Sequence, residues 1–231
     1  MMSHNTLFLH EEIMLLALRD EGGTVESGSM YQYAVSGAVL AELLLNKRIG
    51  IAESRKKKIV NLVDSTPVGD PLIDECLGKI VTAKRPASLQ TWVSRLAGVK
   101  NLKHRVAEQL CKRGILRGGE DKILLIFTRR IYPEVNPDPE RRIIERLREA
   151  IFSDSEDIDP RTTVLVSLAH NADLLKNVFD TKELKRRKAR IKQVIKGEMT
   201  GKAAKEAIEA VQAAVTVACI MPAITVAATS S

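Results

Sequence analysis

Two lysines three residues apart, Lys100 and Lys103, stand at the head of the stretch VKNLKHRVAEQLCKRGIL, which runs from Val99 to Leu116. His104 and Arg105 follow them, and Lys112 and Arg113 come near its end. Residues three apart on a helix share a face. The first turn of a helix also presents backbone N–H groups that have no partner within the helix. Two ammonium groups converging there suit a phosphate group. Leu102, Val106 and Leu110 recur every four residues and predict an apolar stripe that holds the helix to a core. At 3.6 residues per turn the lysine face lies about a quarter turn from that stripe. It therefore edges the core and still reaches solvent.

Two further groups of cations occur. Arg55 to Lys58 form the tip of an expected hairpin, and Lys185 to Lys192 lie on a strongly basic late helix. A charge run on a helix reads first as a solvated face, and that is the reading for Lys185 to Lys192. The whole chain carries a net charge of +7 over 231 residues, a balance that favours polyanionic partners, whether nucleic acid or an anionic membrane surface. Only 3% of residues are aromatic, which counts against stacking platforms for single-stranded nucleic acid. The segment HRVAEQLCKRGIL followed by a basic-ended hairpin does fit the outline of a winged-helix DNA reader. Few side chains on that helix suit base edges, so this is the alternative reading.

Catalytic patterns are missing from the sequence: no HExxH, GxSxG, Walker or GxGxxG motif occurs. His10 precedes Glu11 and Glu12, but one histidine beside two carboxylates on a helix does not make a metal site. The acidic run around Asp154, Glu156, Asp157 and Asp159 lacks the glycine and further ligands of a calcium loop and reads as a solvated loop. Cys76, Cys111 and Cys219 are far apart and form no CxxC pair, which suits small apolar residues in a reducing compartment. No enzyme activity, cofactor or metal is expected.

The elements that must position the lysines are mostly helices. A first helix is expected from an N-cap at Thr6 to a stop at Gly22 and Gly23. A second begins near Met30 and is apolar on most sides from Ala34 to Leu45, which predicts a central, buried position. Gly37 within it predicts a close packing contact. Ile49 to Val60 read as a hairpin. Asp70 then caps a helix with Pro71 at its first position, and Ser88 starts a short helix carrying Trp92, Val93 and Leu96. Gly114 ends the lysine-bearing helix. A second hairpin is expected to turn at Gly118 and Gly119. The later helices are an amphipathic one with Ile143, Ile144, Leu147 and Ile151 inward, an apolar one from Thr162, and the basic one. The apolar C-terminal run is interrupted by Pro222 and is shorter than the roughly 20 residues of a spanning helix, so a buried core helix is expected there. The N-terminus reads as having no signal peptide.

Taken in order, TLFLHEEIMLLALRDEGG, AVLAELLLNKRI, STPVGDPLIDECL, LQTWVSRLAG, RVAEQLCKRGIL and DPRTTVLVSLAHNADLLKNVF resemble the Golgi phosphoprotein 3 family from about Thr6 to the final helix. The resemblance implies a single domain over residues 1–231 that is mainly α, with a central helical bundle, surrounding amphipathic helices and two small β-hairpins. It implies a cytoplasmic, peripheral membrane protein that binds phosphatidylinositol 4-phosphate and associates with further copies partly through a β-hairpin. The family's head-group pocket uses a tryptophan before the second helix, an arginine within that helix, and two arginines before and within the lysine-bearing helix. These positions hold Ser27, Ser36, Lys100 and Lys103 here. Two positive charges persist, whereas an interfacial anchor and a bidentate phosphate donor are lost. The resemblance therefore implies binding to anionic phospholipid head groups with phosphatidylinositol 4-phosphate selectivity weakened, in a divergent member of the family, with nucleic acid not among the expected partners.

Overall fold

A computed structural model describes residues 6–19, 23–25, 29–54, 57–123, 127–198 and 211–218. Its elements are α1 (Leu9–Ala17), the short strands β1 (Leu18–Arg19) and β2 (Thr24–Val25), α2 (Ser29–Leu45), β3 (Ile49–Ser54), β4 (Lys57–Leu62), α3 (Pro71–Val81), β5 (Ala87–Ser88) and α4 (Leu89–Ala97). There follow α5 (Leu102–Lys112), β6 (Gly119–Ile123), β7 (Phe127–Ile131), α6 (Asp138–Phe152), α7 (Pro160–Asn171), α8 (Leu175–Val178), α9 (Thr181–Arg186) and α10 (Lys188–Ile195). A further helical stretch covers 211–218. The expected class holds: helices dominate, and the sheets are small and antiparallel.

The centre is α2, whose residues from Ala34 to Leu44 are buried on every side. That follows from its composition, because a helix apolar all round has no face to offer water. It packs against α1, α3, α4 and α7, and α6, α7 and α10 pack against one another beside it. The close contact at Gly37 is present. A Cβ there would fall 3.0 Å from the Cβ of Ala218 and 3.2 Å from Leu168 Cδ2, so the missing side chain lets two helices meet.

The N-caps read from sequence at Asp70 and Ser88 are in place, Asp70 accepting from the amides of Leu72 and Ile73 and Ser88 from that of Thr91. The stripe of Leu102, Val106 and Leu110 is buried, and Gly114 ends α5 with a left-handed φ of 69°. Several boundaries differ. The first helix starts at Leu9 rather than just after Thr6, with Phe8 at the N-cap position. The Glu11 carboxylate accepts from the Phe8 amide at 2.9 Å, replacing the expected threonine cap. The same helix stops at Ala17, and Gly23 serves a different purpose. It turns with φ 56° against the backbone of Tyr132 and Pro133, where a Cβ would lie 2.2 Å from the Pro133 nitrogen. The second hairpin pairs β6 with β7 in a register running from Gly119 opposite Ile131 to Ile123 opposite Phe127, so Gly119 opens a strand rather than a turn. Leu116, buried like Ile115, pairs antiparallel with Glu134 beyond β7. Helix α7 begins at Pro160, not Thr162, because the Asp159 carboxylate caps it. The late basic helix breaks at Arg187 into α9 and α10. Two of its cations turn inward: Arg187 donates to the Phe152 carbonyl at 2.7 Å, and Arg190 to those of Ala150 and Ser155. These are carbonyls at and beyond the C-terminal turn of α6, which have no intrahelical donors.

Candidate functional site: a cationic face on α5 and the second hairpin

Lys100 lies exposed in the turn between α4 and α5, and Lys103 is the second residue of α5, half-buried. Asn101 makes the turn with a left-handed φ of 56°, a conformation asparagine adopts more readily than most residues. No side chain caps the start of α5. The positive end of the helix dipole is thus left beside two lysines.

The second hairpin brings more charge to this place. Burial pushes the Lys103 ammonium below the ordinary lysine range, and the charge of Arg129 on β7 pushes it further. His104 is likewise held below its usual value, by burial first and then by Arg130 and Lys103. Its Nδ1 lies 2.8 Å from the Tyr132 hydroxyl, which fixes the ring against the end of the hairpin. Arg130 reaches the Glu108 carboxylate on α5 at 3.5 Å, and Arg129 pairs with Asp121 across the hairpin at 2.8 Å. Both arginines remain exposed. Lys103, His104, Arg129 and Arg130 therefore form one cationic face, in which Asp121 and Glu108 pair with the two arginines, and Lys100 lies in the turn just before it. The two arginines were legible in the sequence only as the basic end of a hairpin. Their approach to Lys103 depends on the strand register, which pairs Asp121 with Arg129 and Glu120 with Arg130.

Ser36 lies elsewhere in the burial profile. It is 1% exposed within α2, and its hydroxyl donates to the Gln32 carbonyl at 2.8 Å. Ser27 lies outside the described residues, as do Arg55 and Lys56 of the first hairpin tip.

A second charged region is buried at the start of α1, where His10, Glu11, Glu12 and the facing Glu42 of α2 are each at most 2% exposed. Glu42 accepts from the Leu9 amide at 2.7 Å and from both terminal nitrogens of Arg161 on α7, at 2.6 and 3.1 Å. Arg161 also donates to the Leu7 carbonyl. Glu12 pairs with Arg146 of α6 at 2.8 Å, and Glu11 with Arg113 just beyond α5 at 2.7 Å. Burial raises the pKa of both Glu11 and Glu12 above the usual carboxylate range. His10 Nε2 lies 3.5 Å from Asp70 and 3.4 Å from Gln109. Each carboxylate is thus already engaged by an arginine, a backbone amide or a cap, so the cluster fastens α1 to four other parts of the fold. The sequence signal was an HEE triplet inside an otherwise apolar helix, but the six residues that complete the network, Glu42, Asp70, Gln109, Arg113, Arg146 and Arg161, are scattered along the chain. Among the described residues no group of three His, Cys, Asp or Glu side chains is arranged to hold a metal ion, and no helix is long and apolar enough to cross a membrane.

The family described as Golgi phosphoprotein 3 matches residues 9–211 of the chain. Among individual proteins, the chain is similar to the vacuolar protein sorting-associated protein 74 of Eremothecium gossypii, with 24% identity over 214 residues. The match covers 79% of this chain and 64% of that relative, so the chain spans somewhat under two thirds of the relative's length.

Proposed function

This chain belongs to the Golgi phosphoprotein 3 family, and from that premise we propose that it is a peripheral membrane protein that binds anionic phospholipid head groups and carries out no chemistry on them. The observation that carries the reading is the convergence of Lys103 and His104 with Arg129 and Arg130 at the uncapped start of α5, with Lys100 in the turn just before it. A cation near an anionic bilayer contributes about 1 kcal/mol of attraction, and the half-buried Lys103 gains further when a phosphate offsets the charge of its neighbours. Ser27 and Ser36 stand where the family carries its tryptophan and its arginine. Attachment therefore depends on net negative charge more than on the phosphatidylinositol 4-phosphate head group, and a second copy joined through a β-hairpin would double the number of cations offered. The reading places the protein on the cytoplasmic side of a membrane.

Flotation with phosphatidylcholine vesicles containing phosphatidylserine or phosphatidylinositol 4-phosphate tests this. Binding to both is expected, with Lys100→Ala/Lys103→Ala weakening it by about thirtyfold, from two cations at about 1 kcal/mol each. Retention of duplex DNA at low salt with both vesicles unbound would instead favour the winged-helix reading. Undiminished flotation of the double variant would remove these lysines from the contact.

A further inference from the structure

A cavity of about 380 Å³ lies between the segment leading into α1, the chain beyond α5 and the first turns of α6, a volume at the lower end of those that hold small ligands. Charged side chains make up much of its lining. Arg142 and Arg146 stand one turn apart on the same face of α6, Arg113 faces them across the opening, and Glu12 is the carboxylate among them. Two of the three guanidinium groups are neutralised, Arg113 by Glu11 and Arg146 by Glu12. Arg142 has no side-chain partner among the described residues, and the cavity wall is left with one uncompensated positive charge. Asn136, also in the wall, accepts from the Asp138 amide through its oxygen, which leaves its NH₂ group available to donate. Leu7, Ile115 and Ile143 supply an apolar side.

We infer that this cavity is a binding site for the phosphate group of a small ester. Arg142 and Arg146 clamp the phosphate oxygens, the Asn136 amide donates to them, and the apolar side takes the carbon skeleton. Guanidinium pairs suit this role because they offer planar, bidentate donors to a tetrahedral oxyanion. The site is separate from the cationic face on α5, and none of its residues belongs to that face.

The test is calorimetric titration of the full chain with glycerol 3-phosphate and with inorganic phosphate, beside flotation of the Lys100→Ala/Lys103→Ala variant on phosphatidylcholine vesicles containing phosphatidic acid. Saturable one-to-one binding of glycerol 3-phosphate is expected, about tenfold weaker in Arg142→Gln, partly restored in Arg142→Lys, and unchanged in Lys100→Ala/Lys103→Ala. Arg142 is exposed, so circular dichroism and melting of its variants should match the parent. Arg142-dependent flotation without glycerol 3-phosphate binding would identify the ester as a lipid head group and still support the site. If no probe binds, or if binding is the same in the parent and Arg142→Gln, the inference is overturned.

Discussion

The start of α1 and the start of α5 both collect ionised side chains around a helix N-terminus, yet at opposite depths. At α1, carboxylates are buried and matched by arginines from α6, α7 and the chain beyond α5. At α5, cations lie at the surface, and some of their nearest charges are like ones. Burial makes a charge expensive unless it is paired and hydrogen-bonded, so the inner group has the geometry of a fastener, with each carboxylate fixed by a donor of its own. Exposure lets water screen mutual repulsion, so the outer group can remain under-compensated and available to an external anion. The same residue types thus do different work according to which side of the core they face.

The contrast is broken most severely by cutting the inner group. Arg161→Ala leaves the Glu42 carboxylate buried without its fork, and a loss of about 3–5 kcal/mol of stability is expected, measured by urea unfolding. Vesicle binding of the protein that remains folded should be unchanged. On the outer face, Arg129→Ala/Arg130→Ala should weaken attachment to anionic vesicles by about tenfold or more. Stability should stay within about 1 kcal/mol of the parent, because exposed ion pairs contribute little, and added salt should erase much of the difference.

Two pH experiments sharpen the comparison with smaller effects. Burial raises the pKa of Glu12 in the folded chain, so the folded state holds its proton to higher pH than the unfolded one does. Stability from this group is full below the unfolded carboxylate value and declines as pH rises through the folded one. Glu12→Gln should flatten that decline in melting temperature between acid and neutral pH. His104 runs the other way, since burial, Arg130 and Lys103 depress its pKa. A bilayer of negative charge restores the proton, so vesicle binding should tighten modestly as pH falls below neutral. His104→Gln should remove that increment.

Much of this fold was legible where a local rule decides the outcome. Asp70 followed by Pro71, Ser88 as a cap, the stripe of Leu102, Val106 and Leu110, and the all-apolar α2 are each fixed by neighbours a few residues away. What escaped depends on distant partners. Thr6 looks like a better cap than Phe8, but Glu11 and Glu42 satisfy the first amides of α1 from three and 33 residues away. Gly118 and Gly119 look like a hairpin turn, but Gly119 pairs with Ile131 and Leu116 with Glu134, partners too far along the chain for a local rule to find. The lysine pair of the outer face was visible because both residues lie on one short stretch. Its arginines were not, because strand register places them there, and neither was the inner network, whose pairs bridge up to 154 residues of chain.

The meeting of Gly37 with Ala218 carries a consequence for biosynthesis. Helix α2 is translated some 180 residues before the helix that closes over its glycine, so this apolar helix stays incompletely covered throughout that interval of synthesis. Contacts so far apart in sequence form late, and a partly covered apolar helix is a natural client for a chaperone in that interval.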